Sequence, residues 1–480
     1  MWVLVLLAFA NAMLHVRAVC WSLIASDNWT LVPPFLADAV ASQLDLGNFL
    51  VKRAGVDHAQ PLNKLVLWLN YRYFGLDFML EGMLGLVFGM AALLALHRVT
   101  MADGAQTQRP PSVHLAFAAV AGVFFSLNSS FIYTYSMVTM WFAIYLLAFL
   151  MLLAAWHAMR RGVFWPLAVA TFALGIVGDD SVFLDGAALG LALLLFAARD
   201  GEWRRALQAV GTIAVAVLLS RVVYWAFGET SGATQAIFVQ PLGVRIAGLA
   251  AQWRDAWSWF AVPASSGLLG RDSLRGLVGE HAPLLRDGLA VAMVAAHVWF
   301  WRAALRLRPG AAWLAATMLM LMFYAHVAAI LIARVFVKGT QYLEQERYVS
   351  FYQFGIIALL LMGIAWVMQR PELRARRWLA AVAMSVLLVQ WPVTYLAKQR
   401  EPGIGTHNRQ MAIAMAKVAR DPLHPPVGCP GAMNLCTLPP GRRIELVRLL
   451  RDNRLSLFSP QYARRHPEDA EAVRLLHAPK

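Results

Sequence analysis

Ser26-Asp27-Asn28-Trp29 follows directly on an apolar run, Trp2 to Ala25, and opens a polar segment that reaches Asp77. The segment carries Asp27, Asp38, Asp45, Asp57, His58, Lys64 and Arg72 between apolar flanks. It is too long for a turn. Ionisable groups gathered at the mouth of a helix bundle are a functional hypothesis by default. The segment therefore reads as the first outer loop of a multi-span membrane protein, with Asp27 as its first candidate for chemistry.

Composition sets the same frame. The 480 residues are 60% hydrophobic and 14% charged, whereas a soluble chain is roughly half apolar and about a quarter charged. The excess lies in runs near the ~20 residues that cross a bilayer. The formal charge of +15 would suggest nucleic acid in a soluble chain. Here the basic residues sit beside the runs, where they set topology and meet anionic headgroups. Three cysteines exclude a disulfide-dense scaffold.

Working outward, the runs are Trp2–Ala25, Phe78–Leu96, Leu115–Leu127, Met137–Trp156, Pro166–Val177, Leu184–Ala198, Leu207–Phe227, Leu289–Trp301, Ala311–Ala333, Phe354–Met368 and Trp378–Leu396. The expectation is an all-α polytopic bundle of about eleven spans over residues 1–397, with outer loops at 26–77, 228–285 and 334–353. Pro33-Pro34 should start a surface helix over Phe35–Phe49, and Pro61 a second over Leu62–Phe74. The short arms around Gly178-Asp179-Asp180-Ser181 read as a re-entrant pair or as two spans dipping into a cavity. Ala10-Asn11-Ala12 resembles a signal-peptide cleavage site, but no basic region precedes it and apolar residues continue past it, so the first run is read as uncleaved.

Basic clusters at Arg160-Arg161, Arg199 to Arg205, Arg302 to Arg308 and Arg370 to Arg377 alternate with turns free of Lys and Arg at Asn128 and Gly178. The positive-inside rule puts the clusters in the cytoplasm. It leaves the small soluble tail, 398–480, outside, in the periplasm of a bacterial inner membrane. Cys429 and Cys436 in that tail lack the second pair a zinc site would need. An oxidising location favours a disulfide between them over free thiols.

No Walker motif, no Gly-x-Gly-x-x-Gly, no His-Glu-x-x-His and no Gly-x-Ser-x-Gly elbow occurs, so the common nucleotide, metalloprotease and serine-hydrolase signatures are missing. What remains is a set of polar groups at outer loop–span junctions: Asp27, Asp57-His58, Asp179-Asp180, Arg221 and Glu346-Arg347-Tyr348.

The chain here resembles the GT-C superfamily of polytopic glycosyltransferases. The resemblance rests on Asp27-Asn28-Trp29 after the first span, the long first outer loop, His58-Ala-Gln-Pro61-Leu-Asn-Lys64 before the second span, and the late Glu346-Arg347-Tyr348. It covers most of the membrane part as architecture and a few residues as motif. It implies a GT-C-like helix bundle, a polyprenyl-phosphate sugar donor and an outer-loop acid as base or metal ligand. Asn28 stands where a second acid is common, so a divalent cation stays an open question. The Trp-Trp-Asp-Tyr-Gly signature of oligosaccharyltransferases is absent, and transfer to protein asparagine is not expected.

The inventory suits that chemistry. A phosphate leaves as an anion near neutral pH without a general acid, so one carboxylate suffices to take the acceptor's proton. Asp27 has that role. Arg347 first and Arg221 second are expected at the donor phosphate, beside Glu346 and Tyr348. Asp57, His58, Asp179 and Asp180 are expected around the acceptor. The acceptor is a periplasmic glycan, lipid or envelope polymer, and the transfer is inverting. Bland rivals stand beside each role. Asp27 is also a good helix cap, Arg221 could snorkel to headgroups, Glu346-Arg347 could be a local ion pair, and His297 and His326 read as satisfied core residues. A transporter or flippase of lipid-linked sugars is the main alternative function, and a non-catalytic envelope scaffold the third.

Overall fold

The computed structural model describes residues 1–26, 28–51, 59–102, 109–227, 240–370 and 372–478. Among them every regular element is a helix, and nine helical stretches are long and apolar enough to cross a membrane. α1 (Trp2–Val19) is followed by three helices of the first loop, α2 (Asn28–Val40), α3 (Leu46–Leu50) and α4 (Pro61–Phe74). Next come α5 (Phe78–Thr100), α6 (Pro111–Phe124), two short turns of helix, α7 (Ser130–Thr134) and α8 (Ser136–Thr139), and α9 (Trp141–Arg161). α10 (Trp165–Val177), α11 (Ser181–Asp200) and α12 (Trp203–Phe227) follow. α13 (Leu242–Ala251), α14 (Ala256–Ser266) and α15 (Arg271–Val278) lead to α16 (Ala282–Arg306) and α17 (Ala311–Ile330). α18 (Val349–Gln369) and α19 (Leu373–Arg420) complete the bundle. α20 (Pro440–Asp452), α21 (Pro460–Arg465) and α22 (Ala470–His477) form the tail.

Two of the eleven expected spans fold as shorter helices, α6 with 14 residues and α10 with 13. Fourteen residues rise only about 21 Å, less than the ~30 Å hydrocarbon core. α6 can stop early because it is enclosed. Ser112 to Phe124 is almost wholly buried, and the polar backbone after it is covered by protein, as the membrane interior demands. Asn128 serves as the knot there. Its Nδ2 donates to the Ser266 carbonyl (2.7 Å), and its Oδ1 accepts from the Gly270 N–H (2.6 Å) and the Ser273 hydroxyl (3.1 Å).

In the first loop, α4 starts at Pro61 as expected. α2 starts at Asn28 rather than at Phe35 and carries Pro33 and Pro34 inside it. A buried ammonium closes α3: Lys64 Nζ donates to the carbonyls of Asn48 (2.8 Å), Phe49 (3.1 Å) and Val51 (2.7 Å). These are the orphan acceptors of a helix C-terminus.

The two ends of the bundle differ. The basic connections meet at one end, where Arg205 donates to the Met159 carbonyl and Arg308 exchanges hydrogen bonds with Gln369. The first loop, the 178–181 turn and residues 340–348 gather at the other. There a second hydrophobic core lies apart from that of the bundle. It joins Leu23, Trp29, Phe35 and Leu67 to Met411, Met415, Leu446, Leu450 and Tyr462. α19, 48 residues long, runs unbroken from its span into this core. α1 holds it on the way: Glu401 accepts from His15 Nδ1 and from Lys398 Nζ (both 2.6 Å), and Asn408 donates to the Val19 carbonyl. Cys429 and Cys436 are bonded to each other beside this core.

Candidate functional site

The 178–181 turn is made by a tight approach of two helices. A Cβ on Gly175 would stand 2.3 Å from Ser220 Oγ, so glycine lets α10 and α12 close on each other. Arg221, next along α12, then reaches the turn. Its Nη1 donates to Asp179 Oδ1 (3.1 Å) and Asp180 Oδ1 (3.3 Å), and its Nη2 to the Gly175 carbonyl. The guanidinium also packs over the rings of Phe183 (5.3 Å) and Tyr224 (4.5 Å). Asp179 adopts a φ of +50°, a region that Asp tolerates better than most residues. Only 2% of it is exposed, and its Oδ2 accepts the Ala59 N–H at 3.1 Å. That bond ties the first loop to the turn.

Beside the turn lies a cavity of about 320 Å³, within the usual range for small-ligand sites. Gln60 and Asn63 of the first loop, Tyr145 of α9, Asp179 and Asp180, and Asp185 of α11 line one side. His326, Arg334, Tyr348 and Phe351 line the other. α17 passes into a π turn at Leu331–Val335, and Arg334 sits in it. Such wide turns recur at functional sites. Within the wall, His326 Nδ1 donates to the Met322 carbonyl (2.8 Å), which leaves Nε2 facing Asp185 Oδ1 at 3.8 Å. The His326 ring stacks on Phe351 with centroids 4.3 Å apart. Asp185 Oδ1 is buried and has no hydrogen-bond partner among the described residues. Such an atom is costly in a closed structure and useful in one that receives a ligand.

The structure sorts the residues singled out in the sequence. Asp179, Asp180 and Tyr348 line the cavity. Arg221 is engaged by the two aspartates. Glu346 is a brace: its Oε2 accepts the Phe131 N–H (3.0 Å) and its carbonyl accepts the Ser129 hydroxyl (2.6 Å). Arg347 donates to the Tyr342 hydroxyl and lies over the rings of Tyr342 and Tyr348, and is not among the residues that line the cavity. Asp27, Asp57 and His58 lie outside the described residues; Asn28 Oδ1 accepts from the Tyr135 hydroxyl at 3.3 Å. Sequence reasoning passed over Asp185 and Arg334 and set His326 aside as core. The available signal was their ionisable character next to or inside apolar runs.

Burial pushes the Lys64 ammonium down to about 8, against the opposing pull of the Asp179 charge. Among the described residues no three His, Cys, Asp or Glu side chains gather as a metal site. Asp179 and Asp180 are bridged by a guanidinium instead, so the visible residues do not fit a divalent cation.

No family model matches the chain, and neither does any curated protein. Among solved structures the chain is similar to ArnT from Cupriavidus metallidurans, crystallised bound to undecaprenyl phosphate. The two share 13% identity at a TM-score of 0.46, over 98% of this chain and 88% of that one.

Proposed function

We propose that the cavity is the reaction chamber of an inner-membrane glycosyltransferase that moves a sugar from a polyprenyl phosphate to a periplasmic glycan, lipid or envelope-polymer acceptor. The observation that carries this reading is the cavity lined jointly by Asp179, Asp180, Asp185 and Arg334, brought together from α11, the 178–181 turn and the π turn. A phosphate needs a fixed cation, and Arg334 supplies a fork at the wall. It takes precedence over Arg347, which does not line the cavity, and over Arg221, which the aspartates hold. Asp27 remains the general base. The acceptor oxygen attacks the anomeric carbon, the carbon–phosphate-oxygen bond breaks with its electron pair going to the phosphate, and the acceptor's proton passes to Asp27. Direct displacement inverts the anomeric centre. Asp185 and His326 are suited to hold sugar hydroxyls, since Asp185 Oδ1 has an open acceptor position.

The test is transfer by purified protein in vesicles from a labelled polyprenyl-phosphate sugar. Asp27→Asn is expected to lower turnover by about 10²–10⁴-fold at unchanged melting temperature. Turnover retained by Asp27→Asn removes Asp27 from the base role. Flux of the labelled lipid across the vesicle without any acceptor product rejects the transferase in favour of a flippase.

A further inference from the structure

A second opening lies away from the chamber and shares no lining residue with it. It is a groove of about 730 Å³ between the end of α1, α19 and the tail, with Leu14, Arg17, Arg409, Arg464, Arg465 and Glu468 in its walls. Arg465 is engaged, its Nε donating to Asp77 Oδ2 at 2.8 Å. Among the described residues Arg17, Arg409 and Arg464 pair with no carboxylate. Glu468 is itself paired with His466 Nδ1 at 3.1 Å, so the guanidinium groups of Arg17, Arg409 and Arg464 give the groove a net positive charge. Unpaired arginines crowded around one opening repel each other, and an anion relieves that cost.

The groove also sits at a definite height. Val3, Leu7 and Leu14 form one exposed apolar stripe along α1, and Arg17 lies on the next turn of the same face. Leu388, Trp391 and Tyr395 form a similar exposed stripe on α19, and Thr406 and Arg409 continue it into the groove. Exposed Trp and Tyr favour the headgroup level. Two chain-facing stripes thus converge on a basic pocket at the membrane surface.

We propose that this groove binds the phosphomonoester headgroup of an anionic membrane lipid whose chains lie along α1 and α19. A phosphate monoester carries about −1.5 to −2 at neutral pH, a dense negative charge that complements several arginines at once. A phosphodiester headgroup carries less.

The experiment reconstitutes the full chain in phosphatidylcholine nanodiscs containing equal amounts of phosphatidic acid and phosphatidylglycerol and counts retained lipids by native mass spectrometry. Phosphatidic acid is expected to be retained at least about fivefold over phosphatidylglycerol. The combined Arg17→Gln, Arg409→Gln and Arg464→Gln variant is expected to lower that retention about tenfold. Arg161→Gln, Arg199→Gln and Arg204→Gln, an equal charge loss at the other end of the bundle, should leave it unchanged. Equal retention of the two lipids by the unmutated protein overturns the proposal without recourse to any variant. Wild-type retention by the groove variant overturns it too. Displacement of phosphatidic acid by soluble glycerol 3-phosphate at equal concentration would make the groove a free-anion site and reject the lipid.

Discussion

Two places in this molecule bury a carboxylate against an arginine, and they end differently. At the 178–181 turn, Arg221 clasps Asp179 and Asp180, yet Asp180 is 54% exposed and Asp185 Oδ1 nearby has no hydrogen-bond partner among the described residues. At the junction of the first loop with the tail, Asp77 Oδ2 accepts from Arg465 Nε (2.8 Å) and His466 Nε2 (3.0 Å), and His466 Nδ1 donates to Glu468. Beside it, Tyr462 donates to Asp469 and accepts from Ser22 (both 2.6 Å). One network leaves that buried carboxylate oxygen of Asp185 unbonded beside the chamber; in the other Asp77 and His466 bond each other and Tyr462 bonds Asp469, and only its edge, Arg465 and Glu468, reaches the groove. A buried ion pair alone therefore says little about purpose. Open valences around it point to a ligand, and closure points to assembly of the fold.

That contrast predicts opposite phenotypes. Arg334→Gln, in the wall of the cavity that the open network faces, is expected to cut sugar transfer by about 10²–10³-fold, with thermal unfolding unchanged. A fall in melting temperature equal to the fall in rate would make Arg334 a structural residue. Asp77→Asn, in the closed network, should instead cost about 2–4 kcal/mol of stability, read by chemical denaturation, while activity per folded molecule stays within twofold.

The glycines sharpen the comparison. Added Cβ atoms on Gly175 and Gly75 would each stand 2.3 Å from a serine Oγ, Ser220 and Ser459 respectively. Gly75 also has a φ of +67°, which alanine resists. Both alanine variants should lose about 1–3 kcal/mol, but only Gly175→Ala should also reduce transfer, because it pushes Arg221 away from the turn.

The smallest effect is a pH dependence. Burial lowers the affinity of His466 for its proton, but the bonds to Asp77 and Glu468 outweigh burial and raise its pKa above 6.5. A raised folded value means the contribution is complete below about 6.5 and is lost as pH rises through the folded value. The melting temperature should therefore fall slightly above pH 6.5, and His466→Gln should flatten that slope. An unchanged slope in the variant would assign it to another group.

Much of this fold was legible. Apolar runs bounded by arginines gave the bundle, and Pro61 gave α4. Pro33-Pro34 misled about α2, because Asn28 already begins a helix whose face packs into the second core. The last apolar run ends at Leu396 and the expected tail begins at 398, yet α19 continues to Arg420, since Glu401 and Asn408 find partners on α1. The site was legible in part. Adjacent acids at 179–180 stood out, whereas Asp185, His326 and Arg334 sit amid apolar neighbours, and only three-dimensional packing shows that they line one cavity.

The second core has a cost in time. Its first half, Leu23 to Leu36, leaves the ribosome long before Met411, and synthesis at ~5–20 residues per second separates the two by about 20–75 s. For that interval Leu23, Trp29 and Phe35 have only first-loop neighbours such as Phe49 and Leu67, and lack the half of the core that the tail supplies. A nascent chain stalled before α19 should accordingly be the species that chaperones bind and proteases trim.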